Sequence, residues 1–139
     1  MTALSAALQQ HGAYPNEAWC VAKGVMGTDI IYQGGLVSSV TTDGLLLAGQ
    51  DTANHKFRGV ALATVDNSAA ASGVEASLWT EGIFTFAISA ATEAVVGQTA
   101  YIVDDATVAI SGTSNSVKCG TIVEMVSASL VRVKINIHW

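Results

Sequence analysis

Apolar and polar residues alternate with a period of two at several places along this chain, most clearly at its end. Over residues 130–139, Val131, Val133, Ile135 and Ile137 alternate with Arg132, Lys134, Asn136 and His138. Successive strand side chains point to opposite faces, so this stretch predicts an antiparallel strand with one face buried. The same period recurs at residues 74–81, where Val74, Ala76 and Leu78 alternate with Glu75, Ser77, Trp79 and Glu81. Residues 60–65 and 83–86 read as strands on either side of it, and residues 66–73 as a small, polar, flexible loop. Further strands are predicted at 17–25, 30–32, 36–40, 45–48, 99–103, 107–111 and 121–126. Gly34-Gly35, Thr41-Thr42-Asp43-Gly44 and Asp104-Asp105-Ala106 supply turns, residues 49–56 and 112–118 supply polar loops, and residues 87–97 read as a loop or one helical turn. Many short strands at this spacing predict an all-β fold, a single antiparallel β-barrel or sandwich.

Two features organise these strands. The run Arg58-Gly59-Val60-Ala61-Leu62-Ala63-Thr64-Val65-Asp66 is echoed by Cys119-Gly120-Thr121-Ile122-Val123-Glu124-Met125-Val126-Ser127. Each is followed by a small-residue turn and an alternating strand. Upstream, Ile31-Tyr32 and Ala100-Tyr101-Ile102 open the two units. Two similar halves are therefore expected, about residues 30–81 and 99–139, within one domain spanning 17–139, because neither half buries its apolar face alone. Residues 1–16 read as an extended N-terminal arm. A short helix at 2–10 would carry Leu4 and Leu8 on one stripe, and a linker follows with Tyr14 and the only proline, Pro15. A helix this short is stable only when docked, so the arm is expected either to reach a neighbouring subunit or to stay mobile as a frayed terminus.

Composition narrows the function. Half of the 139 residues are hydrophobic and only 12% are charged. So few charges imply a surface partly covered by an assembly. Eleven acids against six bases give a net charge of −5, and the bases do not cluster, so no direct nucleic-acid binding is expected. No signal-peptide pattern opens the chain, and no apolar run approaches the ~20 residues of a membrane span. A soluble protein made in a cytoplasm, with no membrane partner, is expected.

Candidate chemistry is sparse. His11, His55 and His138 show no ligand spacing, and neither HExxH nor GxSxG occurs. Cys20 and Cys119 read as two buried free thiols, with a disulfide or shared zinc as alternatives. Asp104-Asp105, with Asp66 or Asn67, reads as a hairpin turn before it reads as a cation site. No enzyme, metal or cofactor is expected. Trp79 falls on the polar face of its strand, which fits either an interface or packing against a second sheet.

A set of motifs runs through the chain: Ile31-Tyr32-Gln33-Gly34-Gly35-Leu36-Val37, Phe57-Arg58-Gly59-Val60-Ala61, Val65-Asp66-Asn67-Ser68 with Gly73, and Glu81-Gly82-Ile83-Phe84. It continues through Ala91-Thr92, Val96-Gly97-Gln98-Thr99-Ala100-Tyr101, Asp104-Asp105-Ala106-Thr107-Val108, Cys119-Gly120-Thr121-Ile122 and Val131-Arg132-Val133-Lys134-Ile135. In these residues the chain resembles the capsid decoration (cement) proteins of tailed bacteriophages. The resemblance spans Glu17 to Ile137 and leaves the arm outside. It implies a β-rich virion protein on the outer capsid surface, made in the bacterial host cytoplasm. Its partners would be the major capsid protein and itself, as a homotrimer. Leu4, Leu8, Tyr14, Asp66, Asn67, Ser68 and Trp79 are the contact residues expected on that reading. The alternative is a virion-borne module binding a glycan or host receptor, with Trp19 or Trp79 as a stacking platform.

Overall fold

The computed structural model describes Leu4 and residues 21–137. Among these, the fold is all-β. Twelve strands are β1 (Val21–Val25), β2 (Ile30–Ile31), β3 (Leu36–Val40), β4 (Leu46–Ala48), β5 (His55–Ala61), β6 (Val65–Asp66), β7 (Glu75–Trp79), β8 (Ile83–Ala87), β9 (Thr99–Ile102), β10 (Val108–Ala109), β11 (Lys118–Ser127) and β12 (Leu130–Ile135). One turn of 3-10 helix, Glu93–Val95, precedes β9. The strands form two five-stranded antiparallel sheets and a two-stranded ribbon, β2–β6.

The two sheets repeat one topology. The first runs β1-β7-β5-β3-β4, and the second, read from β8, runs β8-β12-β11-β9-β10. In each, the first strand pairs with the last, and the others follow in the same sequence. Even the link between sheet edges is repeated: one parallel bridge, Met26 to Leu46 in the first sheet and Ala87 to Thr107 in the second. Those bridges do not close either sheet into a barrel, so the arrangement is sandwich-like. The internal echo is therefore structural, with different boundaries: the halves are residues 21–79 and 83–135. β9 answers to β3, not to the Ile31-Tyr32 strand, because β2 leaves the sheet to pair with β6.

The core has two parts. The larger lies between the sheets and includes Leu36, Phe57 and Val60 from the first, with Phe84, Phe86, Ile102, Ile122, Val131, Val133 and Ile135 from the second. The smaller lies on the other face of the first sheet, where Val37, Leu46, Ala61, Ala76 and Leu78 meet Met26 and Ile31, with Val65 packed against them. β3 is thus buried on both faces, Leu36 in one core and Val37 in the other. Phe57 and Val60 share a core although three residues apart. A bulge does this: Val37 pairs with Gly59 but Ser38 with Phe57, so Arg58 is the extra residue. β5 begins at His55, in the expected polar loop, because His55 and Lys56 pair with Val40 and Ser39 of β3. The strand expected at 60–65 is split, because residues 62–64 carry the chain out of the sheet to β6.

Two joints tie the halves. The Leu36 amide donates to the Asp105 carbonyl at 2.8 Å. The Asp51 carboxylate accepts from the amides of Ser114 and Asn115, both at 2.8 Å.

Candidate functional site

The loop at residues 66–73 is the expected contact that the structure describes most fully. It leaves the ribbon at β6 and returns at β7. Asn67 is its pin. The Asn67 amide donates to the Asp29 carbonyl at 2.9 Å, and Nδ2 donates to the carbonyls of Gly27 and Ala71, each at 3.0 Å. Oδ1 accepts from the Ala71 amide at 3.0 Å. Asn67 is only 3% exposed, so its side chain offers nothing to a partner. Beside it, the Asp66 carboxylate accepts from the Ser68 amide at 2.9 Å. Hydrogen bonds from the Ser68 side chain and amide hold that exposed carboxyl below its usual pKa. The presented surface is Ser68, Ala69, Ala70, Ala71, Ser72 and Gly73, all exposed and all small. The loop is a pinned platform, not the flexible segment that its composition suggested.

The other expected contacts fall elsewhere. Leu8, Tyr14, Trp19, Cys20 and His138 lie outside the described residues. Leu4 is described and rests on its own chain: its amide donates to Asp105 Oδ1 at 2.8 Å, and its side chain lies against Gly35. Trp79 is partly buried against the larger core. The duplicated topology explains its position. Val60 pairs with Trp79 in the first sheet where Thr121 pairs with Lys134 in the second. Trp79, at the end of the polar-looking face of β7, packs on the larger core, whereas Lys134 at the matching place on β12 is exposed.

Asp105 lies in the expected turn between β9 and β10, but its burial there was not foreseen. It is 3% exposed. Burial raises its pKa first, the Leu4 amide lowers it, and the charges of Asp104 and Asp29 raise it again. With the folded-state value above the unfolded one, the folded protein binds the proton more tightly. Stability therefore rises as pH falls through the folded-state value, and the gain levels off below the unfolded value of about 3.9. Asp105→Asn is expected to remove this acid-side gain and to leave neutral-pH stability equal or higher. Urea midpoints of both proteins between about pH 7 and about pH 4 check this.

Among the described residues no group of three or more His, Cys, Asp or Glu is placed to hold a metal ion. Cys119 is a free buried thiol, pushed up to about 12 by burial, with Sγ directed at the Ala100 carbonyl at 3.4 Å. Ser38 Oγ lies 3.0 Å from His55 Nδ1, but Ser38 is fully buried and cannot meet a substrate. Among the described residues no helix is long and apolar enough to cross a membrane. Neither protein-family models nor curated proteins yield a match to this chain.

Proposed function

We propose that this protein decorates the outside of a tailed-bacteriophage capsid, binding across major capsid protein subunits as a homotrimer and stabilising the shell by contact alone. One observation carries the reading. The residues that bear the resemblance are those on which the fold depends: Gly34-Gly35 before the doubly buried β3, Gly59 and Gly120 at close strand contacts, and Asn67 as the loop pin. Many modest contacts add through multivalency when each subunit spans a seam. The arm, through Leu8 and Tyr14, and the 66–73 platform, through Asp66 and Ser68, are the shell or subunit contacts on this reading.

The test is to mix the protein with undecorated phage heads and image them. Ordered density on the outer surface supports the proposal, and bare shells at micromolar protein overturn it. Deleting residues 1–16 is expected to weaken occupancy while the strand spectrum by circular dichroism is kept. Unfolding of the truncated chain would show that the arm belongs to the body instead.

A further inference from the structure

The two halves meet at a seam where the Leu36 amide donates to the Asp105 carbonyl at 2.8 Å. Gly35 stands on the first-half side of that bond, and Asp105 on the second-half side. Leu4 touches both. Its amide donates to Asp105 Oδ1 at 2.8 Å, and its Cδ1 lies 3.0 Å from the place that a Cβ on Gly35 would take. A residue near the start of the chain thus bridges the seam, with its backbone on one half and its side chain on the other.

Both sides of the seam are shaped for this contact. Gly34 turns the chain at a φ of 83°, but Gly35 has no positive φ. The backbone at residue 35 would accept a side chain, and the space would not. A Cβ there would press on Leu4 Cδ1 and on the Tyr32 carbonyl oxygen, 3.1 Å away. Across the seam, Asp105 is 3% exposed, and a buried carboxylate needs hydrogen bonds. Its acidic neighbours are held by other amides: Asp29 accepts from Ile30 and Ala48, and Asp104 from Ala106. Among the described residues, Leu4 supplies the one amide from outside the Asp105 turn that meets the Asp105 carboxylate. The carboxylate and the bare glycine together make a slot for one aliphatic residue with an unengaged backbone N–H.

We propose that Leu4 is a latch on this seam. Seated, it holds the joint between Leu36 and Asp105 closed and fills the slot of its own chain, so that a partner reaches neither the slot nor the Leu4 side chain. Withdrawn, it lets the joint open and leaves Leu4 available to bind elsewhere. On the decoration reading, a shell that engages the N-terminus first draws Leu4 off Asp105, and the apparent affinity is reduced by the unlatched fraction. The latch and its test stand without that reading.

The test is amide hydrogen exchange in the whole chain with no shell present. The Leu36 amide reports the latched joint. Two buried amides away from the seam serve as references, Met26 donating to the Val74 carbonyl at 2.8 Å and Ile122 donating to the Gln98 carbonyl at 3.0 Å. Leu4→Asp would bring a further carboxylate to Asp105, Asp104 and Asp29, and so is expected to leave the slot. Leu36 exchange is then expected to be at least tenfold faster, with Met26 and Ile122 unchanged. Asp105→Ala, which removes the acceptor, is expected to match it. Asp105→Asn keeps an oxygen that accepts the Leu4 amide, and is expected to hold Leu36 near its native rate. Unchanged Leu36 exchange in Leu4→Asp and in Asp105→Ala overturns the proposal. Equal acceleration at all three amides overturns it as well, because Leu4 would then contribute to global stability alone. Leu36 protection in the native chain that rises with protein concentration also overturns it, assigning the slot to the Leu4 of a second copy.

Discussion

Gly120→Ala will lower the stability of this protein by on the order of 3 kcal/mol or more. A Cβ at Gly120 would land on the Lys134 carbonyl oxygen and 2.9 Å from Ile135 Cα. Both are backbone atoms of β12, which is held by β11 on one side and β8 on the other. No rotamer change relieves such a collision, so the strand pair must separate. Gly59→Ala is expected to do the same in the first half. There the Cβ would meet the Trp79 carbonyl oxygen, at a φ of 149° that side-chain-bearing residues rarely adopt. Gly73→Ala is the control. Nothing lies within 4 Å of its Cβ, and only the positive φ of 77° opposes it, which costs about 1–2 kcal/mol. Urea unfolding of the three variants tests the ranking. A Gly120 variant as stable as the Gly73 variant would contradict the close approach of β11 and β12.

The second large effect is expected at Asn67. Asn67→Ala removes three side-chain hydrogen bonds from a residue that is almost fully buried. Each bond contributes about 1 kcal/mol net, and a group left unsatisfied costs more. Ala71 is exposed and regains water, whereas Gly27 is half-buried and does not do so fully. A loss of about 2–4 kcal/mol follows. Asn67→Asp should be no better, because a carboxylate cannot donate to the carbonyls of Gly27 and Ala71. Limited proteolysis within residues 66–73 provides the local readout. Cleavage unchanged in both variants would mean that the loop is held by its ends alone.

The period-two pattern made β7 and β12 legible, since each places its apolar residues on a face the core uses. It failed where a strand does something other than alternate. β5 carries a bulge at Arg58, so its core residues are spaced by three and its polar start resembled a loop. Trp79 was left between an interface and packing against a second sheet because alternation reports which residues share a face, not what that face meets. Only the second half, packed over it, decides. The repeat was legible through Gly59 and Gly120, the two positions where side chains are sterically excluded. Its upstream alignment was not, because short strands such as β2 and β9 carry too few residues to set a register. Asn67 was visible as a loop residue, but nothing in its neighbours predicted that its amide turns inward. The Asp105 contact with Leu4 joins residues 101 positions apart and leaves no local trace.

The double burial of β3 has a consequence for how the chain is made. Leu36, Phe57, Val60 and Trp79 form an apolar face that, among the described residues, the second half covers, and the last core residue supplied by β12 is Ile135. Translation therefore presents this face before the strands of the second half exist to pack on it. The first half emerges as a sheet whose face toward the second half is bare, and folding is committed only once β12 has been made. Such non-local closure is slow and exposed to aggregation. Nascent chains halted near residue 82 are thus expected to engage holdase chaperones, whereas those extended past Ile135 release them.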